Sequence, residues 1–415
     1  MRTSSPRRYK CLLVIQDGIG DRPVEAFGDK TPLEAASTPH MDSLIKRGVA
    51  GLIDIIGPGV KVGTDIGHLA LFDQDIQKDF YRRGPMEAAG VGIFLNPGEV
   101  ALRCNFATVS EDFHIVDRRA GRIRAEAKEL AKALDQIHID DDVQVIFRQA
   151  TEHRAVLVLR GEELSDRISD SDPGGSASDQ RVLKVYPQMD DPHAERTAQL
   201  VNKFIEQSHH VLKKHPLNIR REGEGKVPAN IILTRGAGSL REYIQLPQKR
   251  GLRVACVSGE RTVLGIARLS GVKTIVTDKM TGNLDTNLAE KAARTMEALD
   301  DHDLVYLHLK GCDVAGHDRQ PELKRWFIEQ TDMMIGEIIK EVGKWKQLYF
   351  AFAGDHSTPC ELGEHSGDPV PVFLAGGDVQ VDDVKAYGEC TCAQGGLGRI
   401  RCQDFLATIF HYLGA

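Results

Sequence analysis

The chain of 415 residues is longer than one hydrophobic core ordinarily holds, so two domains are expected. Its 41% hydrophobic and 27% charged residues are an ordinary globular balance, which excludes a fibrous or disordered chain. A net charge of −7 argues against nucleic acid or an anionic membrane as partner, and any anionic substrate must then meet a local basic pocket.

The basic N-terminal segment MRTSSPRRYK is followed by an apolar run, Cys11 to Ile15, shorter than the roughly 7 to 15 residues of a secretion-signal core. No stretch approaches the roughly 18 to 20 apolar residues of a spanning helix. The scattered cysteines suit a reduced compartment, so a cytoplasmic protein is expected. Cys11 to Ile15 reads as a buried strand, and Thr38 to Lys46, opening on Thr-Pro, reads as a helix.

The middle of the chain changes character. Strands are expected near Val100 to Val109, Ala155 to Leu159 and Asn230 to Thr234, with a helix from Glu195 to Val211. This pattern places an inserted α+β domain at about 96–236, leaving 1–95 and 237–415 as the main domain. The small polar residues and Pro-Gly of Asp170 to Gln180 mark a loop.

Strands return at Asp303 to Leu309 and Leu348 to Ala353. Between them Pro321 to Glu341 has Leu323, Phe327, Ile328, Met334, Ile335 and Ile338 at helical spacing. Alternation of buried strand and amphipathic helix predicts an α/β fold, a doubly wound, mostly parallel sheet. Cys390 and Cys392 read as loop thiols rather than a metal knuckle, because no C-x2-C pair accompanies them.

In parallel sheets ligands gather beyond the carboxyl ends of the strands. Asp17 follows CLLVIQ, Asp313 and His317 follow LVYLHLKGC, and Asp355 and His356 follow LYFAFAG, with His365 ten residues beyond Asp355. Each motif alone reads as readily as a turn or cap. Together, three carboxylates and three imidazoles suit a pair of Mn²⁺- or Zn²⁺-like ions, which take both oxygen and nitrogen ligands. In KVGTDIGHLAL, Thr64 stands just before an apparent helix, either as a cap or as a hydroxyl that accepts a phosphoryl group at the helix N-terminus.

The segments DGIGDRP, TPLEAASTPHMDSL, GTDIGH, RRGPMEAAGVG, NFATV, VDRRAGR, TEHRAVLV, ERTAQLVN, CDVAGHD, GDHSTP, HSGDPVP and GGLGRIR, in that order, span nearly the whole chain. The set resembles the archaeal-type cofactor-independent phosphoglycerate mutases of the alkaline phosphatase superfamily. The resemblance implies an alkaline phosphatase-like core and a small phosphorylated acid as substrate. It also implies two divalent ions, Mn²⁺ first and Zn²⁺, Co²⁺ or Mg²⁺ as alternatives, and no 2,3-bisphosphoglycerate. One ion would be held by Asp17, Thr64, Asp355 and His356, the other by Asp313, His317 and His365, with Thr64 as phosphoryl acceptor. The insert would supply Arg118, Arg119, Arg122 and Arg154 for carboxylate and phosphate, and Asp172 and His153 for proton exchange with substrate hydroxyls. It is expected to close as a lid that excludes water.

The sequence departs from that family at two places. The usual nucleophile is serine where this chain has Thr64, whose extra methyl crowds the attacked phosphorus. The sister phosphopentomutases use threonine. The family's phosphate-holding lysine is replaced by Leu264, with Lys310, Arg261 and Arg268 as substitute cations. Both departures keep open an alternative, a metal-dependent phosphohydrolase or phosphotransferase acting on another small phosphorylated or phosphonylated acid.

Overall fold

The computed structural model describes residues 9–76, 83–174, 180–240, 245–341 and 348–415. The chain divides into two compact units, residues 1–80 with 243–415 and residues 81–242.

The first unit is built on an eight-stranded sheet ordered β13-β2-β12-β11-β1-β10-β8-β9. The strands are β1 (Lys10–Gln16), β2 (Gly48–Asp54), β8 (Val254–Val257), β9 (Lys273–Ile275), β10 (Leu304–Leu309), β11 (Leu348–Ala353), β12 (Val370–Ala375) and β13 (Gly398–Arg401). β12 runs antiparallel to both neighbours and the other pairings are parallel. β10 and β11 are buried along their whole length and β1 along all but its first residue. A strand covered on both faces reads as an unbroken apolar run rather than an alternating one, so these three were legible in the sequence. The helices expected from Thr38 and Pro321 run Pro39–Ile45 and Pro321–Lys340, each with proline at its start.

The second unit is an antiparallel sheet in which β3 (Val100–Val109) pairs with β4 (Ile115–Asp117), β6 (Arg154–Arg160) and β7 (Ile231–Ser239), and β6 pairs with β5 (Gln144–Gln149). Period-two alternation sends Leu102, Cys104 and Phe106 of β3 into a core with Phe147, Leu157 and the long helix Pro192–Lys213, which contributes Val201, Phe204 and Leu212. The opposite face holds Ala101, Val156 and Val158 against Ala88 of the helix Arg83–Gly90.

This second layer explains why the unit begins at 81 rather than at the expected 96. Helix Arg83–Gly90 approaches β3 so closely that a Cβ on Gly84 would lie 1.9 Å from the Ala101 carbonyl oxygen. At the other end β7 extends past the expected 236, because Ser239 still pairs with Val100. Of the loop expected at Asp170 to Gln180, residues 175–179 lie outside the described residues.

Cys390 and Cys392 lie on a short helical turn, Glu389–Cys392, not in a loop; Cys390 is exposed and Cys392 buried, and both are free thiols. No helix among the described residues is long and apolar enough to cross a membrane.

Candidate metal centre and acceptor hydroxyl

Asp17, Lys310 and the Asp355-His356 pair leave the carboxyl ends of three adjacent parallel strands, β1, β10 and β11. Gly18 lets the chain turn there: its φ is 68°, and a Cβ would come within 2.8 Å of Asp313. The Gly18 amide donates to Asp355 Oδ1 at 3.2 Å, which links the loops after β1 and β11. A second tie is the fully buried Lys324, whose ammonium donates to Asp21 Oδ2 (2.8 Å), Gly20 O (3.2 Å) and Thr358 O (3.0 Å).

Among the described residues three groups of donor atoms are drawn together within 4.8 Å, and two of them are Asp17, Asp355 and His356, and Asp313, His317 and His365. With Thr64, they are the residues expected for the two ions.

The imidazole tautomers follow from hydrogen bonding. His317 Nδ1 lies 2.9 Å from Gly363 O and His365 Nδ1 lies 3.0 Å from Val62 O, and a carbonyl can only accept, so both rings carry their proton on Nδ1. In the neutral rings that a metal ion requires, the Nε2 atoms are then bare; they face each other at 3.1 Å and stand 3.4 and 3.3 Å from Asp313 Oδ1. His356 behaves alike. Thr358 Oγ1 donates to Asp313 Oδ1 at 2.8 Å and accepts from His356 Nδ1 at 3.1 Å. His356 Nε2 is thereby bare, 3.4 Å from Asp17 Oδ1 and 3.3 Å from Asp355 Oδ2.

Lone pairs turned toward each other and toward carboxylates repel unless a cation lies among them. Asp17 Oδ1 and Asp355 Oδ2, both buried, accept no hydrogen bond among the described residues. The donor set therefore fits a pair of divalent ions, with backbone carbonyls and Thr358 orienting the imidazoles.

The electrostatics agree. Burial and the adjacent Asp355 charge push the Asp17 carboxyl well above the usual range, although Lys310 pulls it down. Burial opposes ionisation of Asp355, but His356, His68 and Lys310 hold it down at about 2. Burial lowers His356 to about 4 despite the carboxylates beside it. Closely packed carboxylates that cannot ionise equally are what a divalent cation relieves.

Thr64 is the first residue of helix Thr64–Leu71, and Gly63 occupies the cap position, so the Thr64 hydroxyl is not a helix cap. Its Oγ1 lies 3.3 Å from His356 Nε2 and 3.3 Å from Lys310 Nζ. The helix can sit this close because Gly67 faces the Asp355 loop, where a Cβ would be 2.3 Å from the Asp355 carbonyl oxygen.

Lys310 also donates to Asp17 Oδ2 (2.9 Å) and Asp313 Oδ2 (2.8 Å). Burial works against its charge, yet Asp17 and Asp313 outweigh that and hold the ammonium charged well above neutrality. Leu264 is fully buried in helix Arg261–Leu269, and Arg268 gives its Nε–H to Thr274 Oγ1. Of the three cations considered as substitutes, Lys310 lies beside the Thr64 hydroxyl.

The remaining expected residues belong to the second unit. Arg118 pairs with Asp172, and Arg235 Nη1 stands 4.0 Å from the other Asp172 oxygen. His153 is held neutral, at about 3, by burial and then by the Arg154, Arg119 and Arg103 guanidiniums. Arg119 and Arg122 are exposed, Arg122 at a φ of 56°.

Sequence reading missed Arg103 and Arg235, which are direct cross-strand neighbours on β3 and β7. Burial lowers Arg103 to about 9 despite Glu87, and Arg83, Arg154 and Arg235 lower it further. Arg83, Arg154 and Arg235 thus crowd positive charge around Arg103, which Glu87 offsets only in part. The signal was present, a single Arg in each apolar strand, but register alone brings them together.

Comparison with known proteins adds the following. A family model for 2,3-bisphosphoglycerate-independent phosphoglycerate mutase matches residues 46–218. A protein of that name from Methanobrevibacter smithii is 41% identical over 96% of this chain and 96% of its own. Another from Thermococcus kodakarensis is 43% identical with the same coverage. Among solved structures, the PH0037 protein from Pyrococcus horikoshii superposes with a TM-score of 0.85 at 35% identity over 98% of both chains. The cofactor-independent phosphoglycerate mutase from Thermoplasma acidophilum gives 0.70 at 30%, covering 98% of this chain and 100% of the other.

Proposed function

The chain belongs to the 2,3-bisphosphoglycerate-independent phosphoglycerate mutase family, and we propose that it interconverts 3-phosphoglycerate and 2-phosphoglycerate by passing the phosphoryl group through Thr64. The observation that carries this reading is the place of the Thr64 hydroxyl: at a helix N-terminus, 3.3 Å from both His356 Nε2 and the Lys310 ammonium.

Asp17, Asp355, His356 and Thr64 would hold one ion and Asp313, His317 and His365 the other; the mixed oxygen and nitrogen donors suit Mn²⁺ or Zn²⁺, and the family resemblance puts Mn²⁺ first. When bound, the ions supply positive charge to the phosphoryl oxygens and favour ionisation of the acceptor hydroxyl.

Thr64 Oγ forms its bond to phosphorus as the bond to the glycerate oxygen breaks, and the hydroxyl proton ends on the glycerate oxygen released. The phosphoester is stabilised by the backbone N–H groups of the first helical turn and by Lys310, which takes the part of the lysine missing at 264. Glycerate reorients, its other hydroxyl attacks phosphorus, and that proton returns to Thr64. Arg118, Arg119, Arg122 and Arg154, with Arg103 and Arg235, would bind the carboxylate. Asp172 would orient Arg118, and neutral His153 would accept from a glycerate hydroxyl. The 81–242 unit would act as the lid that keeps water from the phosphoester.

Purified protein supplied with Mn²⁺ and 3-phosphoglycerate, followed for 2-phosphoglycerate and free phosphate, tests the reading. Formation of 2-phosphoglycerate with little free phosphate is expected; free phosphate as the main product would make the chain a phosphohydrolase instead.

A further inference from the structure

Behind the candidate metal centre lies a histidine with the opposite tautomer. His308, fully buried on β10, has its Nε2 3.0 Å from Asp17 Oδ2 and its Nδ1 3.0 Å from Ser258 Oγ. The strand register brings them together: β10 pairs Ile15 with His308 on one side and Val257 with Leu307 on the other, so Ser258 and Asp17 leave the strands flanking His308.

The protons can be assigned around this chain. A carboxylate oxygen can only accept, so His308 Nε2 carries the proton and Nδ1 is bare. Ser258 Oγ accepts from the Glu260 amide at 3.0 Å and turns its own hydrogen to Nδ1. Glu260 in turn caps helix Arg261–Leu269 by accepting from Val263 N at 2.8 Å. The β10 backbone is held by Lys291, also fully buried, whose ammonium donates to His308 O at 2.7 Å. His308 thus cannot act as a ligand through Nε2 while it serves Asp17, even though its donor atom lies within 4.8 Å of those of Asp17 and His68.

We infer that Ser258 and His308 are positioning residues that aim the Asp17 carboxylate: Oδ2 is tied to Nε2–H and Lys310, which leaves Oδ1 turned toward His356 Nε2 as the ligand oxygen. The inference rests on the reading of Asp17, Asp355 and His356 as one ion site. Hydrogen-bonded partners of ligands commonly change metal affinity by about 10- to 100-fold when removed.

The test is Mn²⁺ titration by calorimetry of the full chain without substrate, on wild type and on Ser258→Ala, His308→Gln and His308→Leu. Gln keeps an N–H donor near the Nε2 position, whereas Leu removes it. Wild type should bind two ions. Ser258→Ala and His308→Leu should weaken one ion by roughly 10-fold or more and leave the other unchanged, and His308→Gln should recover most of the loss. Long-range ¹H–¹⁵N spectra of the imidazoles should show His308 as the Nε2–H tautomer in wild type and a mixture in Ser258→Ala. Parallel thermal melts separate positioning from a merely structural role, which would lower the melting temperature without moving one affinity selectively. Two wild-type ions with affinities unmoved in all variants would overturn this inference alone; no ion bound by a folded wild type would overturn the metal reading beneath it.

Discussion

His317 Nε2 and His365 Nε2 face each other at 3.1 Å, each ring giving its Nδ1 proton to a backbone carbonyl. Two lone pairs aimed at one point beside Asp313 suit the proposed second ion, for which these three residues supply the ligands. His365→Ala or Asp313→Ala should therefore release one of two metal equivalents and nearly abolish turnover, since each removes one of the three ligands proposed for that ion. Metal content after gel filtration together with a coupled assay checks this. Full activity of either variant in chelator-treated buffer would contradict the assignment.

Thr64 supplies the sharpest test of the reaction path. Thr64→Ser keeps the oxygen and removes a methyl, so activity should persist or rise. Thr64→Val keeps the β-branched shape and loses only the hydroxyl, so turnover should vanish while the fold and at least one ion remain. Acid quenching during turnover, followed by phosphopeptide mapping, should place the label on Thr64. A Val variant with wild-type turnover would eliminate the covalent path.

Lys310 holds Asp17 and Asp313 together and touches the Thr64 hydroxyl. Lys310→Met should lower kcat by about 10²- to 10³-fold, as loss of one transition-state charge contact does. It should also destabilise the metal-free protein by about 3–5 kcal/mol, because two buried carboxylates lose their counter-charge. Saturating Mn²⁺ should restore most of that stability without restoring kcat. Denaturant melts with and without metal, beside steady-state rates, separate the two effects.

Glu389 predicts a pH dependence away from the site. Burial raises its carboxyl to about 7, against hydrogen bonds from Thr31 and Asp21 that favour the ionised form, and the Glu34 charge adds to the rise. The folded state thus holds this proton to higher pH than the unfolded chain does. Its contribution to stability is complete below about pH 4.5 and is lost as pH rises through about 7. Glu389→Gln should flatten that fall, so the variant gains on wild type between pH 5 and 8 by up to about 3 kcal/mol. Urea midpoints at several pH values measure the difference; identical pH profiles would show that Glu389 ionises normally.

Much of the candidate metal centre was legible in the sequence. Asp17, Asp313, Asp355 and His356 lie just beyond strands β1, β10 and β11, whose apolar runs are nearly continuous, and parallel strands converge their carboxyl ends by construction. What lies around those ligands was not legible. Thr358, Ser258, His308 and His68 look like ordinary loop, strand and helix residues, and their partners are set by contacts across the fold: Asp17 with His308, Thr358 with Asp313, Ser258 with His308. The same holds for Arg103 and Arg235, joined only by the register of β3 with β7, and for Lys310, which reaches Thr64 from a distant part of the chain. Local pattern sets which residues follow a strand, because burial and periodicity act over a few neighbours. Register and packing alone decide which hydrogen bond each imidazole makes, and so which nitrogen is left bare.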